Sequence, residues 1–470
     1  MWIGIARDGP LTLARQIYDS IREKILEGAM AAGEKLPSTR SLAGELDVSR
    51  NTVLDAYNQL IAEGWLEASH GSGTRVAEGL RGAFAVPARL PPVAPEEGKG
   101  AERRKAGPAI DFRSGIPDAA LFPRREWSRL YREVCLDLPD AAYGYGEVSG
   151  VRELRREIAR YLFRARGITC DPERMLVTSG STQGLSLLSR LLRDEGGKAL
   201  VEDPSHPGLR QAIALAGCRV EGVPADGRGL DTDRLRPAAD VSFVCVTPSH
   251  QYPLGGILPI RRRLALIRYA GQNGCYIAED DYDSEFRYEG PPVSSLYELD
   301  PERVIYLGSF SKILAPALRL GFMILPEKLL AGCRKLKNFT DVHSDALTQY
   351  ALARFMSGGG FERHVWKMKK HYARKRDWLL GELEKRFPGR FEVLGRASGL
   401  HLVVRFPGVE FSRRLVGEAA RQGVRIHPVG DYYLEKKGHR NDGIIMGYSH
   451  LSRDEIAEGV EILSRVVRSG

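Results

Sequence analysis

Cysteine is scarce in this chain and follows no pattern. Six cysteines in 470 residues, Cys135, Cys170, Cys218, Cys245, Cys275 and Cys333, are scattered without a CxxC pair. That argues against a disulfide-stapled domain and a cysteine zinc site, and favours reduced cytosolic thiols. No run of about eighteen apolar residues occurs, so no membrane span is expected. The opening residues Met1–Asp8 lack the charged-then-apolar pattern of a secretory signal. These absences give a cytoplasmic location as the expectation.

Positive charge is also missing where a reader of nucleic acid would need it. The chain carries +9 overall, yet residues 1–77 hold eight Lys/Arg against ten Asp/Glu. Residues 78–107 hold six against four, and the remaining excess lies in the large C-terminal part. DNA binding by the N-terminal part must therefore be argued from motif, not from charge. With 43% hydrophobic and 27% charged residues over this length, two or more globular domains are expected.

What is present gathers around one lysine. Arg303-Val304-Ile305-Tyr306-Leu307-Gly308 is a short apolar run of the kind that forms a buried strand. It leads into Ser309-Phe310-Ser311-Lys312, with Arg319 a turn further on. A lysine in a mostly apolar pocket can lose its proton and attack a carbonyl. Serine hydroxyls and an arginine fork suit a phosphate. Pyridoxal 5'-phosphate joins an aldehyde to a phosphate, and it is the cofactor expected here.

A second apolar run, Cys275 to Ala278, ends in Glu279-Asp280-Asp281-Tyr282. A carboxylate beside the cofactor's ring nitrogen keeps that nitrogen protonated and the ring electron-poor. Asp280 is the candidate, and Tyr282 is placed to donate to the ring's phenolic oxygen. In open α/β sheets ligands gather outside the carboxyl ends of the strands, where both motifs fall. Thr178-Ser179-Gly180-Ser181-Thr182-Gln183-Gly184 follows a third strand and opens a helix. Helix N-terminal N–H groups with hydroxyls from Ser181 and Thr182 make a phosphate cradle.

The N-terminal part alternates differently. Leu13, Ile17, Ile21 and Ile25 keep a helical period across Leu11 to Gly28. Ser38 caps a short helix with Leu42, Ala43 and Leu46 inward. Asp47-Val48-Ser49-Arg50 reads as a turn, and a second helix runs from Asn51 to Gly64. Two short helices across a tight turn match a helix-turn-helix, whose second helix enters the major groove by its N-terminal end. That end carries Ser49, Arg50, Asn51 and Thr52, all able to meet bases or phosphates. Trp65 to Ala68 and Thr74 to Val76 flank a glycine turn with His70 and Gly71, forming a wing. Between about Glu78 and Pro108, Pro87, Pro91, Pro92 and Pro95 break every period, as in a linker.

These residues resemble a known family. Leu36-Pro37-Ser38-x-Arg40, Val48-Ser49-Arg50-x-Thr52-Val53 and Glu63-Gly64 are similar to the GntR-type winged helix-turn-helix. The Lys312 and Asp280 motifs resemble fold-type I aminotransferases. Glu279 through Arg287 and Thr247-Pro248-Ser249-His250-Gln251 resemble the regulator branch of the MocR/GabR type.

The resemblance implies an α/β chain in three parts. Residues 1–77 form the DNA-binding domain, 78–108 a flexible linker and 109–470 a pyridoxal-phosphate domain. The last has a mostly parallel doubly wound sheet and a small C-terminal α+β subdomain. It implies a homodimer, domain-swapped head to tail, on double-stranded operator DNA, responding to a small amine or amino-acid effector through an internal aldimine on Lys312. Cofactor contacts are expected from Asp280, Tyr282, Ser181, Thr182, His206, His250, Gln251, Ser309, Ser311, Arg319 and Tyr145, the last reaching the partner's phosphate. DNA contacts are expected from Arg40, Ser49, Arg50, Asn51, Thr52, His70 and Gly71; no metal is expected.

The sequence departs from the family's pattern at two positions. His206 stands where the family stacks a larger aromatic on the ring. Ile445 stands where aminotransferases carry a late arginine for the substrate carboxylate, which disfavours efficient transamination and leaves Arg396 or Arg425 as substitutes. An active aminotransferase with an accessory DNA-binding domain is the alternative expectation.

Overall fold

Hydroxyl caps set the helices of the N-terminal unit. Thr12, Ser38 and Ser49 accept backbone N–H groups of Arg15, Ser41 and Thr52, and start helices Leu13–Leu26, Thr39–Leu46 and Arg50–Ala62. Each cap satisfies one of the N–H groups a helix start leaves free. The structure is a computed structural model that describes residues 3–69, 73–80, 110–193, 197–435, 438–439 and 441–469. Its chain divides into two units, residues 1–103 and 104–470.

In the first unit Ile17, Ile21, Leu42, Val53 and Leu60 are wholly out of water. Each such burial stabilises by about 1.5–3 kcal/mol. The turn between the second and third helices rests on Asp47, whose φ is +49°. Arg50 is the first helical residue rather than part of the turn, because Ser49 takes the cap. The hairpin Leu66–Ser69 with Gly73–Val76 is antiparallel, from Leu66 opposite Val76 to Ser69 opposite Gly73. His70 and Gly71 lie outside the described residues, as does residue range 81–109.

The second unit is built on an eight-stranded sheet. In spatial order its strands are Met175–Thr178, Gly321–Ile324, Val304–Ser309, Tyr276–Asp281, Val241–Val246, Lys198–Asp203, Arg219–Asp226 and Gly229–Leu230. The five from Val304–Ser309 to Arg219–Asp226 run parallel. Gly321–Ile324 is antiparallel to both its neighbours, and Gly229–Leu230 to its one. The central strands read as unbroken apolar runs because helices cover both faces. Leu185, Leu188, Leu329 and Cys333 pack on one face, from helices Ser181–Leu192 and Glu327–Asp341. Leu154, Ile158, Leu266 and Leu352 pack on the other.

The C-terminal part carries a separate antiparallel sheet of strands Glu392–Leu394, His401–Arg405, Gly443–Gly447 and His427–Pro428. The helices Gly360–Arg386 and Arg453–Ser469 close its core through Met368, Tyr372, Leu379, Ile456 and Val460. All six cysteines are free thiols. Among the described residues no helix is long and apolar enough to cross a membrane.

Candidate cofactor and effector site

Parallel pairing brings the acid and the lysine to one edge. Leu307 lies opposite Asp280 and Gly308 opposite Asp281, so both chains leave the sheet at the same end. The cleft there is lined by Lys312, Asp280, Tyr282, Ser181, Thr182 and His206 among the residues expected from sequence.

Lys312 Nζ donates to the carbonyl oxygen of Gly115 at 2.6 Å. Burial pushes its pKa below the usual lysine range; Asp283 and Asp280 oppose that shift, and Arg113 adds to it. Asp280 Oδ1 is buried with no partner among the described residues. Burial, reinforced by Asp281, raises the Asp280 pKa to about 7. An unpartnered buried carboxylate oxygen is costly unless a donor arrives. A protonated ring nitrogen is such a donor, so the acid fits pyridoxal phosphate.

The neighbouring Asp281 is turned elsewhere. It accepts from Arg166 Nη1 at 2.6 Å, Tyr306 Oη at 2.6 Å and Ser284 Oγ at 2.8 Å. Tyr282 Oη sits 3.0 Å from His250 Nδ1 and donates to the His250 carbonyl at 2.9 Å. His206 is exposed at the cleft, and its pKa is lowered to about 4, by partial desolvation first and then by the cations Lys312, Arg113 and Arg210.

The helix Ser181–Leu192 starts at Gly180, whose φ is +109° and which offers no side-chain cap. A Cβ there would stand 3.4 Å from Arg319 Nη2. Arg319 itself is in the left-handed region, with φ +50°, and donates to the Ser179 carbonyl. This brings the arginine to the same helix start as Ser181 and Thr182, the arrangement a phosphate needs. Ser309 Oγ accepts the Ser311 N–H at 3.1 Å.

Several expected residues lie outside the lining. His250 and Gln251 are buried behind it. The Gln251 amide is spent on the backbone of Pro204, Tyr252 and Leu254. Tyr145 is 90% exposed. Arg396 pairs with Glu289, and Arg425 with Asp111; neither lines the cleft. Ile445 is buried among Tyr252, Leu254, Val403 and Val429.

Sequence reasoning passed over Gly115, Asp283, Tyr252, Glu202 and His401, all of them in the lining. Ser114-Gly115-Ile116-Pro117 carried a turn signal that went unused. Burial raises the Glu202 pKa to about 7, and its Oε2 accepts from Thr247 N at 3.0 Å and from the Thr247 hydroxyl. His401 is pushed down to about 3, by burial first and then by His250.

On the first unit Arg40, Ser49, Arg50 and Asn51 are exposed and Thr52 half-exposed, around the start of the helix Arg50–Ala62. Arg50 Nε donates to Thr39 Oγ1 at 3.4 Å, across to the preceding helix.

Residues 13–76 match the model of "Bacterial regulatory proteins, gntR family", and residues 122–438 that of "Aminotransferase class I and II". The chain is 34% identical to the probable rhizopine catabolism regulatory protein MocR of Rhizobium meliloti, covering 97% of this chain and 94% of that one. It is 32% identical to the HTH-type pyridoxine biosynthesis transcriptional regulator PdxR of Corynebacterium glutamicum, covering 98% and 97%. Among solved structures, an archaeal alanine:glyoxylate aminotransferase matches with TM-score 0.71 at 29% identity, over 77% of this chain and 91% of that one. The α-aminoadipate aminotransferase of Thermus thermophilus, complexed with N-(5'-phosphopyridoxyl)-L-leucine, matches with TM-score 0.68 at 30% identity, over 79% and 97%.

Proposed function

Since the chain belongs to the MocR-type DNA-binding transcriptional regulators, with pyridoxal phosphate as cofactor, we propose that it senses a small amine or amino-acid-type effector at Lys312 and transmits that event to operator DNA. When bound, the cofactor supplies an electrophilic aldehyde and an electron-poor ring. Lys312 Nζ is the protein amine that meets the aldehyde, and burial favours its reactive neutral form. Asp280 Oδ1, buried and unpartnered among the described residues, would hold a proton at the ring nitrogen. Tyr282 Oη donates to the phenolic oxygen. Ser181, Thr182, Ser309, Ser311 and Arg319 would hold the phosphate, and His206 would lie against the ring. Two copies act together, Tyr145 of each reaching the other's phosphate, so that paired heads meet two half-sites.

The observation that carries this reading is the unpartnered Asp280 Oδ1 in the same cleft as Lys312 Nζ. Sensing requires that the effector favour one state of the protein over another. Ile445 favours regulation over turnover, because no bidentate arginine stands there to orient a substrate carboxylate. Arg113 is the cation whose charge acts on both Lys312 and His206, and it is the proposed partner of an effector anion.

The test is a screen of amines and amino acids for a change in the cofactor's visible spectrum, paired with operator-fragment binding. A ligand that shifts both supports the reading. Spectral change without any effect on DNA binding contradicts it. An active aminotransferase is the second reading, favoured by the intact set Lys312, Asp280 and Tyr282. Sustained conversion of an amino acid and a keto acid, well above background, would establish it.

A further inference from the structure

Where Tyr282 and Asp283 line the cofactor cleft, the buried His250 meets them from behind, and their polar atoms converge on one of its nitrogens. His250 Nδ1 is 3.1 Å from both Asp283 carboxylate oxygens and 3.0 Å from Tyr282 Oη. His250 and Asp283 are each 1% exposed. The opposite ring nitrogen, His250 Nε2, is buried with no partner among the described residues.

That asymmetry decides the tautomer. A proton on Nε2 would leave a buried N–H unsatisfied, while a proton on Nδ1 has Asp283 and Tyr282 as acceptors. The ring is therefore an Nδ1–H donor, oriented by Asp283. His401 stands beside it, ring centroids 5.0 Å apart, and is itself tied to the Pro253 carbonyl at 2.9 Å. With His250 Nδ1 already engaged by a carboxylate and a hydroxyl, the cluster is a hydrogen-bond relay and not a metal cage.

Three glycines shape the chamber. A Cβ on Gly399 would come within 2.1 Å of His250 Cε1 and 2.6 Å of Asp283 Oδ2. Cβ atoms on Gly255 and Gly395 would stand 3.2 Å and 3.4 Å from His250 Nε2. Glycine backbone thus closes around the imidazole at its Nε2 and along its Cε1–Nδ1 edge.

We propose that His250, held by Asp283, is a positioning residue that donates to Tyr282 Oη and so makes that hydroxyl a stronger donor to the cofactor's phenolic oxygen. This rests on the cofactor reading above. Tyr282 has one hydroxyl hydrogen, now given to the His250 carbonyl. Turned into the cleft, that hydrogen leaves the carbonyl while Oη keeps the Nδ1–H of His250. Hydrogen bonds in such a chain strengthen one another. With the cofactor in place, a stronger donor at Tyr282 Oη would stabilise negative charge on the phenolic oxygen and lower the pH at which the loaded protein's visible band changes.

The test uses full-length protein loaded with pyridoxal phosphate and follows the pH midpoint of its visible absorbance. His250→Leu is expected to raise the midpoint by about one pH unit. His250→Asn, which keeps an N–H near the Nδ1 position, is expected to stay near the wild-type value. Tyr282→Phe sets the full shift. A cofactor band that titrates in wild type and Tyr282→Phe as expected, with no shift in His250→Leu, overturns the relay while leaving the cofactor reading intact. No cofactor band in wild type overturns both. Nitrogen NMR of histidine-labelled wild type is independent of any variant's folding. An Nδ1–H tautomer for His250 supports the relay, and an Nε2–H tautomer overturns it.

Discussion

Arg166 Nη1 lies 2.6 Å from Asp281 Oδ2, and both side chains are almost entirely out of water. The carboxylate is thereby drawn to the far side of its strand from Asp280, its neighbour in sequence. Adjacent strand residues point to opposite faces, so anchoring one acid aims the other into the cleft. The Asp281 charge holds the Arg166 pKa above its ordinary value despite burial. Removing one partner of such a pair leaves a buried uncompensated charge and costs about 3–5 kcal/mol. Arg166→Met is expected to lower the melting temperature clearly and to weaken pyridoxal phosphate binding. Calorimetry and a cofactor titration check both; unchanged values would show the pair to be incidental.

Asp280 makes stability of the cofactor-free protein depend on pH. Unfolded, the carboxyl loses its proton near its ordinary value; folded, burial keeps the proton to about 7. The folded form binds more protons between those limits, so this group's contribution is present at low pH and is lost as pH rises toward 7. The melting-temperature difference, Asp280→Asn minus wild type, should therefore grow between pH 5 and 7. Cofactor binding should flatten the wild-type curve, because a protonated ring nitrogen stabilises the ionised acid. A pH-independent difference would contradict the burial argument.

The DNA-reading head yields a separable pair of outcomes. Ser49 Oγ caps its helix through the Thr52 N–H at 3.1 Å. Ser49→Ala should destabilise the head by about 1 kcal/mol. Arg50→Ala should leave its melting intact and weaken operator binding, with a shallower salt dependence if the lost contact is to phosphate. Melting and operator titrations at several salt concentrations distinguish the two.

Arg113 is exposed beside the cleft, and its charge acts on Lys312. Arg113→Gln should weaken the response to carboxylate-bearing effectors by about ten- to a hundredfold, one charge-assisted hydrogen bond being worth about 1.5–3 kcal/mol, and spare simple amines. Equal loss for both classes, read from the cofactor's spectral titration, would remove Arg113 from anion recognition.

Much of this was legible in the chain because the signals are local. The caps Ser38 and Ser49 sit next to the helices they start. Lys312 and Asp280 each close an apolar run, and strand ends are where such sheets bind ligands. What escaped reading is what only tertiary packing joins. Gly115 accepts from Lys312 across 197 positions, and Arg166 reaches Asp281 across 115. No spacing rule spans such separations. The motif marks His250 as a cofactor contact, while its packing against Asp283, Tyr282 and three glycines comes only from the fold.

The most direct measurement is the visible spectrum of wild type and Lys312→Ala after incubation with pyridoxal phosphate and gel filtration, each then titrated with an operator fragment with and without an active amine. The account predicts a cofactor band in wild type that is absent from the variant, and operator affinity that responds to the amine in wild type alone. The same band and the same amine response in both proteins would contradict it.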